Sequence, residues 1–163
     1  MSAIKKFLKN LLLFGLALFL ISNIVSYLRS PAINEKISID VKLLDGKSVS
    51  LNDYKSKPVI IYFWASWCPT CKLQSSAIDE LSKEFQVLTI AVNSGSDEDV
   101  RGYMGEKGYS FATINDKSGN ISRDFKVKAF PTTFVLDSNG SIIFSEVGYT
   151  SGIGFRLRLK VAK

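Results

Sequence analysis

Histidine is absent from these 163 residues. With it go the usual general base of hydrolases, the commonest metal ligand and the imidazole partner of a cysteine protease. Only two cysteines occur, so a structural zinc site, whose four ligands come mainly from Cys and His, has no ligand set within one chain. Whatever the two thiols do, they do as a pair. Paired thiolates bind copper(I), but neither methionine, Met1 or Met104, lies near them in sequence, which weighs against copper handling. The formal charge is +6, yet the lysines and arginines are scattered, apart from a group at each end, and form no basic stripe interleaved with aromatics. No nucleic-acid partner is expected. There is no internal repeat and no low-complexity tract, and 46% hydrophobic content suits one core plus a short accessory segment.

Charge is also missing from one long stretch. Leu11 to Leu28 reads LLLFGLALFLISNIVSYL, eighteen residues without a charged side chain, preceded by Lys5, Lys6 and Lys9 and followed by Arg29. That length just spans a bilayer, and the excess of lysine before it places residues 1–10 in the cytoplasm and everything after Arg29 across the membrane. A cleaved signal peptide competes with this reading. The run is long for such a peptide, however, and the one small-residue site, Ser30-Pro31-Ala32, has a proline in an awkward place. A buried core helix fits poorly, because the run is apolar on every face. The expected organisation is a transmembrane anchor over 11–28, a linker over 29–36 and one folded domain over 37–163.

Within that domain, Ile37, Ile39, Val41 and Leu43 alternate with polar residues and lead into Asp45-Gly46, with Val49 and Leu51 on the returning side, a hairpin pattern. Asn52 to Pro58 is polar and turn-rich. Val59-Ile60-Ile61-Tyr62-Phe63-Trp64 is a continuous apolar run, the mark of a strand buried on both faces. Leu73, Ala77, Ile78, Leu81 and Phe85 then recur at helical spacing. Val87 to Val92 predicts the next strand, and Ser96 followed by Asp97, Glu98 and Asp99 a capped helix running towards Lys107. A weak strand over Phe111 to Ile114 and a helical turn over Ile121 to Phe125 precede a hairpin. Its strands are Thr132 to Leu136 and Ile142 to Val147, around Asp137-Ser138-Asn139-Gly140. At the carboxy-terminal end Phe155, Leu157, Leu159 and Val161 alternate strictly with Arg156, Arg158 and Lys160, a strand pattern. The domain therefore reads as α/β with parallel and antiparallel strands in one sheet.

The chemistry sits in Trp64-Ala65-Ser66-Trp67-Cys68-Pro69-Thr70-Cys71. A C-x-x-C directly after a buried strand and in the first turn of a helix puts Cys68 where unpaired backbone N–H groups and the helix dipole favour a thiolate. Cys68 is the expected nucleophile. Cys71, one turn further and less exposed, is placed to resolve a mixed disulfide. Pro69 costs little in a first turn, and with Thr70 it tunes the redox potential. A C-x-x-C that only staples a loop in an oxidising compartment is the bland alternative, and the strand and helix on either side weigh against it.

WASWCPTC after an apolar strand, with AFPTTFVLDSNG about sixty residues later, resembles the thioredoxin superfamily. The likeness covers residues 37–150. It implies a thioredoxin-like fold, a mixed central sheet flanked by helices, here with an added amino-terminal hairpin. It implies that Pro131 is a cis-proline near the cysteines, that the backbone of Phe130 pairs with an extended substrate segment, and that Trp67 helps to position it. The anchor, the leading hairpin and the insertion over Ser94 to Ser110 are similar to the TlpA-like branch. The ending Gly148-Tyr149-Thr150-Ser151 with Phe155 to Leu159 is most similar to the suppressor-of-copper-sensitivity type, which implies a terminal helix against the local strand pattern. Two positions depart from relatives. Tyr62 stands where thioredoxins carry a buried aspartate, and Gln74 where cytochrome-maturation reductants carry glutamate. Neither expected proton acceptor is present, since a phenol of ordinary pKa about 10 stays protonated at neutral pH.

The expectation is thus disulfide exchange with protein thiol and disulfide substrates on the periplasmic side of a bacterial inner membrane. No metal or organic cofactor is implied. As a reductant the protein would need a transmembrane electron donor as partner. The rivals are an oxidase that introduces disulfides and a copper(I)-binding protein using the same thiols.

Overall fold

The computed structural model describes residues 2–29, 40–54 and 56–162. The chain divides into two compact units, Met1–Ser30 and Pro31–Lys163. The first is a single helix, α1 (Ser2–Arg29). Its side chains are described for residues 4–17 and for Ile21, and they are exposed. Among the described residues no helix is long and apolar enough to cross a membrane; the run 11–28 extends past the side chains described. Arg29 closes α1, and the rest of the expected linker, with Ile37 and Ile39, lies outside the described residues.

The second unit opens with the antiparallel hairpin β1 (Asp40–Lys42) and β2 (Ser48–Ser50), where Val41 pairs with Val49. Leu51 does not extend β2 but begins a short 3-10 turn, Leu51–Tyr54, in which the Asp53 carboxylate accepts the Ser50 N–H. Then follow β3 (Val59–Trp64), α2 (Pro69–Ser82), β4 (Gln86–Val92), α3 (Asp97–Lys107), β5 (Thr113–Asp116), α4 (Asn120–Asp124), β6 (Thr132–Leu136), β7 (Ile142–Val147) and α5 (Gly152–Val161). The five-stranded sheet runs β5-β4-β3-β6-β7. β3 is parallel to β4, and β4 to β5, whereas β6 and β7 are antiparallel to their neighbours.

β3 is the centre, with all six residues buried. Its alternation divides the interior into two cores. Ile60, Tyr62 and Trp64 face the layer made by Ile78 and Leu81 of α2, Val100 and Met104 of α3, and Phe155 and Leu159 of α5. Val59, Ile61 and Phe63 face Leu43, Val49, Phe125 and Phe134. The hairpin therefore covers one face of the sheet, and the insertion after β4 becomes α3 on the other. α3 starts in a capping box between Ser96 and Asp99 and stops at Gly108, whose left-handed φ of 69° suits a residue without a Cβ.

Two local patterns gave way to packing. The edge strand β5 begins at Thr113, two residues later than the apolar pattern suggests. Asp79 of α2 accepts hydrogen bonds from the N–H groups of Ser110 and Phe111 and so holds that stretch outside the strand. The carboxy-terminal alternation is a helix, as the family resemblance implied. Phe155, Leu159 and Ala162 fall on one helical face and are buried, while Ile153, Leu157 and Val161 are exposed. Ser151 caps it by accepting the Gly154 N–H. Arg156 makes a two-pronged ion pair with Glu84, and Arg158 pairs with Glu146. Phe155→Ala should accordingly cost about 3–5 kcal/mol in urea unfolding, as for other buried aromatics. Leu157→Ala, two residues on but facing water, should stay within about 0.5 kcal/mol.

Candidate active site

β3 ends at Trp64, and four residues later Cys68 is the N-cap of α2, with Pro69 in the first helical position. Proline's fixed φ and missing N–H suit that place. The intervening turn is anchored from three sides. Cys68 N–H donates to the Ala65 carbonyl (3.1 Å). Ser66 N–H donates to Ser94 Oγ (3.0 Å), which itself donates to the Val92 carbonyl at the end of β4 (3.1 Å). Trp67 Nε1–H donates to the Asn93 carbonyl (3.0 Å).

Cys68 and Cys71 are joined as a disulfide, with Cα atoms 5.3 Å apart. Cys71 N–H donates to Cys68 Sγ (3.2 Å). This is a backbone donor of the helix N-terminus aimed at the first sulfur, the arrangement that stabilises a thiolate there. Cys68 is 4% exposed and Cys71 1%, so both are buried in the oxidised pair, and the helix N-cap position falls to Cys68. Thr70 follows Pro69 in the same turn. The Phe130–Pro131 peptide is cis. Phe130 packs against the core layer that contains both cysteines, and its ring meets Trp67 edge-on at 5.7 Å. Immediately after Pro131, Thr132 opens β6 opposite Phe63, which brings the proline to the end of β3 where the cysteine turn starts. All seven residues singled out from sequence, Trp67, Cys68, Pro69, Thr70, Cys71, Phe130 and Pro131, thus fall in one region.

Tyr62 is fully buried behind the pair. Its hydroxyl donates to the Cys71 carbonyl (3.3 Å) and shares a hydrogen bond with Ser75 Oγ (3.2 Å), and Ser75 donates to the same carbonyl (2.8 Å). Burial pushes the Tyr62 phenol well above its ordinary value, against the opposing effect of the Ser75 hydrogen bond and with small additions from Tyr109 and Tyr103. Tyr62 is therefore a fixed donor to the α2 backbone and not a proton acceptor. Gln74 is equally buried. Its Nε2 donates to Thr133 Oγ1 (3.2 Å) and its Oε1 accepts the Thr150 N–H (2.7 Å). It ties α2 to β6 and to the segment before α5.

Sequence reasoning noticed Tyr62 and Gln74 as departures but missed these structural duties, and it missed Ser75, Asn93 and Ser94 altogether. Ser75, one helical turn after Cys71, carries a weak signal. The Asn93-Ser94 contacts depend on β3 and β4 being neighbours, which no local pattern reports.

Gln74→Leu should cost about 2 kcal/mol in urea unfolding, because it leaves the Thr150 N–H and the Thr133 hydroxyl without a partner. Tyr62 has a pH signature. A phenol raised in the folded state favours folding fully below its unfolded value of about 10, and that contribution is lost as pH rises towards the folded value. The stability difference between the native chain and Tyr62→Phe should therefore be flat up to pH 9 and fall between pH 10 and 11. A difference unchanged to pH 11 would contradict the burial argument.

The Redoxin family profile matches residues 31–154. A thioredoxin-like protein of Haemophilus influenzae is 37% identical over 163 residues, covering 98% of this chain and 97% of its own. The thiol-disulfide oxidoreductase ResA of Bacillus thuringiensis subsp. konkukian is 33% identical over 104 residues, 61% of this chain and 60% of ResA. Among solved structures, the pneumococcal exposed lipoprotein thioredoxin of Streptococcus pneumoniae superposes with a TM-score of 0.70 at 28% identity, over 77% of this chain and 99% of that one. With the paired cysteines at a helix N-cap and the cis-proline at the end of the same central strand, the chain belongs to the Redoxin family and is a thioredoxin-like thiol-disulfide oxidoreductase.

Proposed function

We propose that the protein is a TlpA-like reductant of the suppressor-of-copper-sensitivity type, anchored in the inner membrane by residues 11–28 and working on protein disulfides outside the cytoplasm. The observation that carries the chemistry is the order of the two sulfurs. Cys68 caps α2 with a backbone N–H directed at its Sγ, and Cys71 follows one helical turn later. In the reduced protein the Cys68 thiolate attacks a substrate disulfide, forms a mixed disulfide and releases one substrate thiolate. The Cys71 sulfur then attacks Cys68, closes the Cys68–Cys71 disulfide and frees the second substrate thiolate, so two electrons pass to the substrate. Phe130, Pro131 and Trp67 position the substrate, and Pro69 and Thr70 set the potential.

With Tyr62 held protonated and Gln74 neutral, the proton leaving Cys71 passes to water or to the departing substrate thiolate. Location rests on the uncharged run and the lysines before it. Direction rests on the leading hairpin and the α3 insertion, features similar to the TlpA-like branch, which includes periplasmic reductants. A transmembrane donor would then recharge the pair.

Cys71→Ser should accumulate substrates as mixed disulfides on Cys68, and Cys68→Ser should trap few; equal trapping by both would overturn the assignment of roles. Equilibration with glutathione or dithiothreitol buffers tests direction. A potential near the thioredoxin value of about −270 mV supports a reductant, and one near the DsbA value of about −120 mV makes the protein a disulfide donor.

A further inference from the structure

Two large aromatics stand in water on segments that flank the cysteine pair and the cis-proline. Trp67 and Tyr149 are each 57% exposed. Trp67 is fixed by its hydrogen bond to the Asn93 carbonyl and by its edge-on contact with Phe130. Tyr149 stands between two pinned residues. Gly148 N–H donates to the Pro131 carbonyl (2.8 Å), and Thr150 N–H donates to Gln74 Oε1 (2.7 Å). One aromatic thus belongs to the turn ahead of α2 and touches Phe130, and the other to the segment after β7, whose Gly148 bonds the Pro131 carbonyl. Leu73, also exposed, follows Cys71 by two residues on α2. Exposed apolar side chains gathered at a reactive centre indicate a surface that another chain covers.

Three lysines lie close in the chain to the site residues. Lys126 and Lys128 are exposed in the stretch leading to Phe130 and Pro131, and Lys72 follows Cys71 directly. None of the three has an ion pair among the described residues. Two carboxylates come near in the chain or in effect. Asp124 lies on the far side of Lys126 from the proline. Glu106, which senses Lys72, is already paired with Lys107 at 2.6 Å.

We propose that the site selects, as its redox partner, an extended protein segment with aromatic or large aliphatic side chains beside its cysteine and acidic residues that lie against Lys126 and Lys128. The inference rests on the exchange reading above and names its substrate class. The aromatics supply contact area, at low entropy cost for Trp67, whose orientation is set before binding. The unpaired lysines act on encounter and register, an effect that salt should screen.

The test uses the full chain in detergent, reduced beforehand, and symmetrical peptide disulfides whose halves carry an acidic-aromatic, a basic-aromatic or an acidic-serine surrounding of the cysteine. Reduced peptide is counted by chromatography. At low salt the acidic-aromatic peptide should react about tenfold faster than its basic counterpart, the size of a steering effect, with the gap closing at high salt. The double variant Lys126→Glu/Lys128→Glu should invert that ratio, a comparison internal to each protein sample. Tyr149→Ser should bring the acidic-aromatic and acidic-serine rates together. Equal rates on acidic and basic peptides, or a ratio unmoved by the charge reversal, would overturn the selectivity while leaving disulfide exchange intact. Failure of the reduced protein to reduce any of the three peptides would overturn the exchange reading itself, and the selectivity with it.

Discussion

Burial of β3 on both faces is the constraint from which the site follows. Its six side chains are shared between two cores, so neither the register nor the direction of the strand is free to shift; a slip of one residue would exchange Tyr62 and Trp64 for Ile61 and Phe63 across the sheet. β4 and β6 bond to its two edges. The end of β3 is therefore a fixed point, and the chain leaving it turns within four residues into α2. The N-terminus of α2 then presents Cys68 beside the segment that enters β6, which is the cis-proline. The reactive pair borrows its precision from the best-buried element of the fold and adds little structure of its own.

The residues behind the pair are polar but uncharged. Tyr62 and Ser75 both bond to the Cys71 carbonyl, and Gln74 serves as donor on one side and acceptor on the other. Each group is satisfied, which keeps the cost of burying polar atoms low. No carboxylate lies among these partners, and the one phenol is driven further from ionisation by burial. The helix terminus at Cys68 consequently meets no opposing negative charge among these groups. Asp79, the buried carboxylate of α2, is turned instead to the N–H groups of Ser110 and Phe111 and serves the fold.

What was legible in the sequence is what short-range pattern determines. The apolar run of β3, the capped start of α3, the Asp137 to Gly140 turn and the C-x-x-C at a strand-to-helix junction each carry their signal within a few residues. The terminal segment did not. Its period of two arose because Arg156 and Arg158 are placed for Glu84 and Glu146, and Leu157 and Val161 are apolar without being buried, so helical burial was masked by an extra apolar stripe. The Phe130–Pro131 geometry came from family resemblance, since local sequence gives the proline no more than a turn. The clamps at Gln74 and Ser94 were invisible because each links segments at least 28 residues apart.

Those long-range clamps also decide how the site meets a partner. Trp67, Gly148 and Thr150 are each tied by a hydrogen bond to a different element, to Asn93, Pro131 and Gln74, so the rim of the site is held although it is exposed. A rigid rim favours partners that are themselves extended and adaptable, because the side that orders on binding bears the entropy cost. On the proposed reading, a segment paired with the backbone at Phe130 would bring its own sulfur to the Cys68 thiolate by register. Recognition and reaction geometry would then be one constraint, imposed by the backbone that β3 and β6 hold in place.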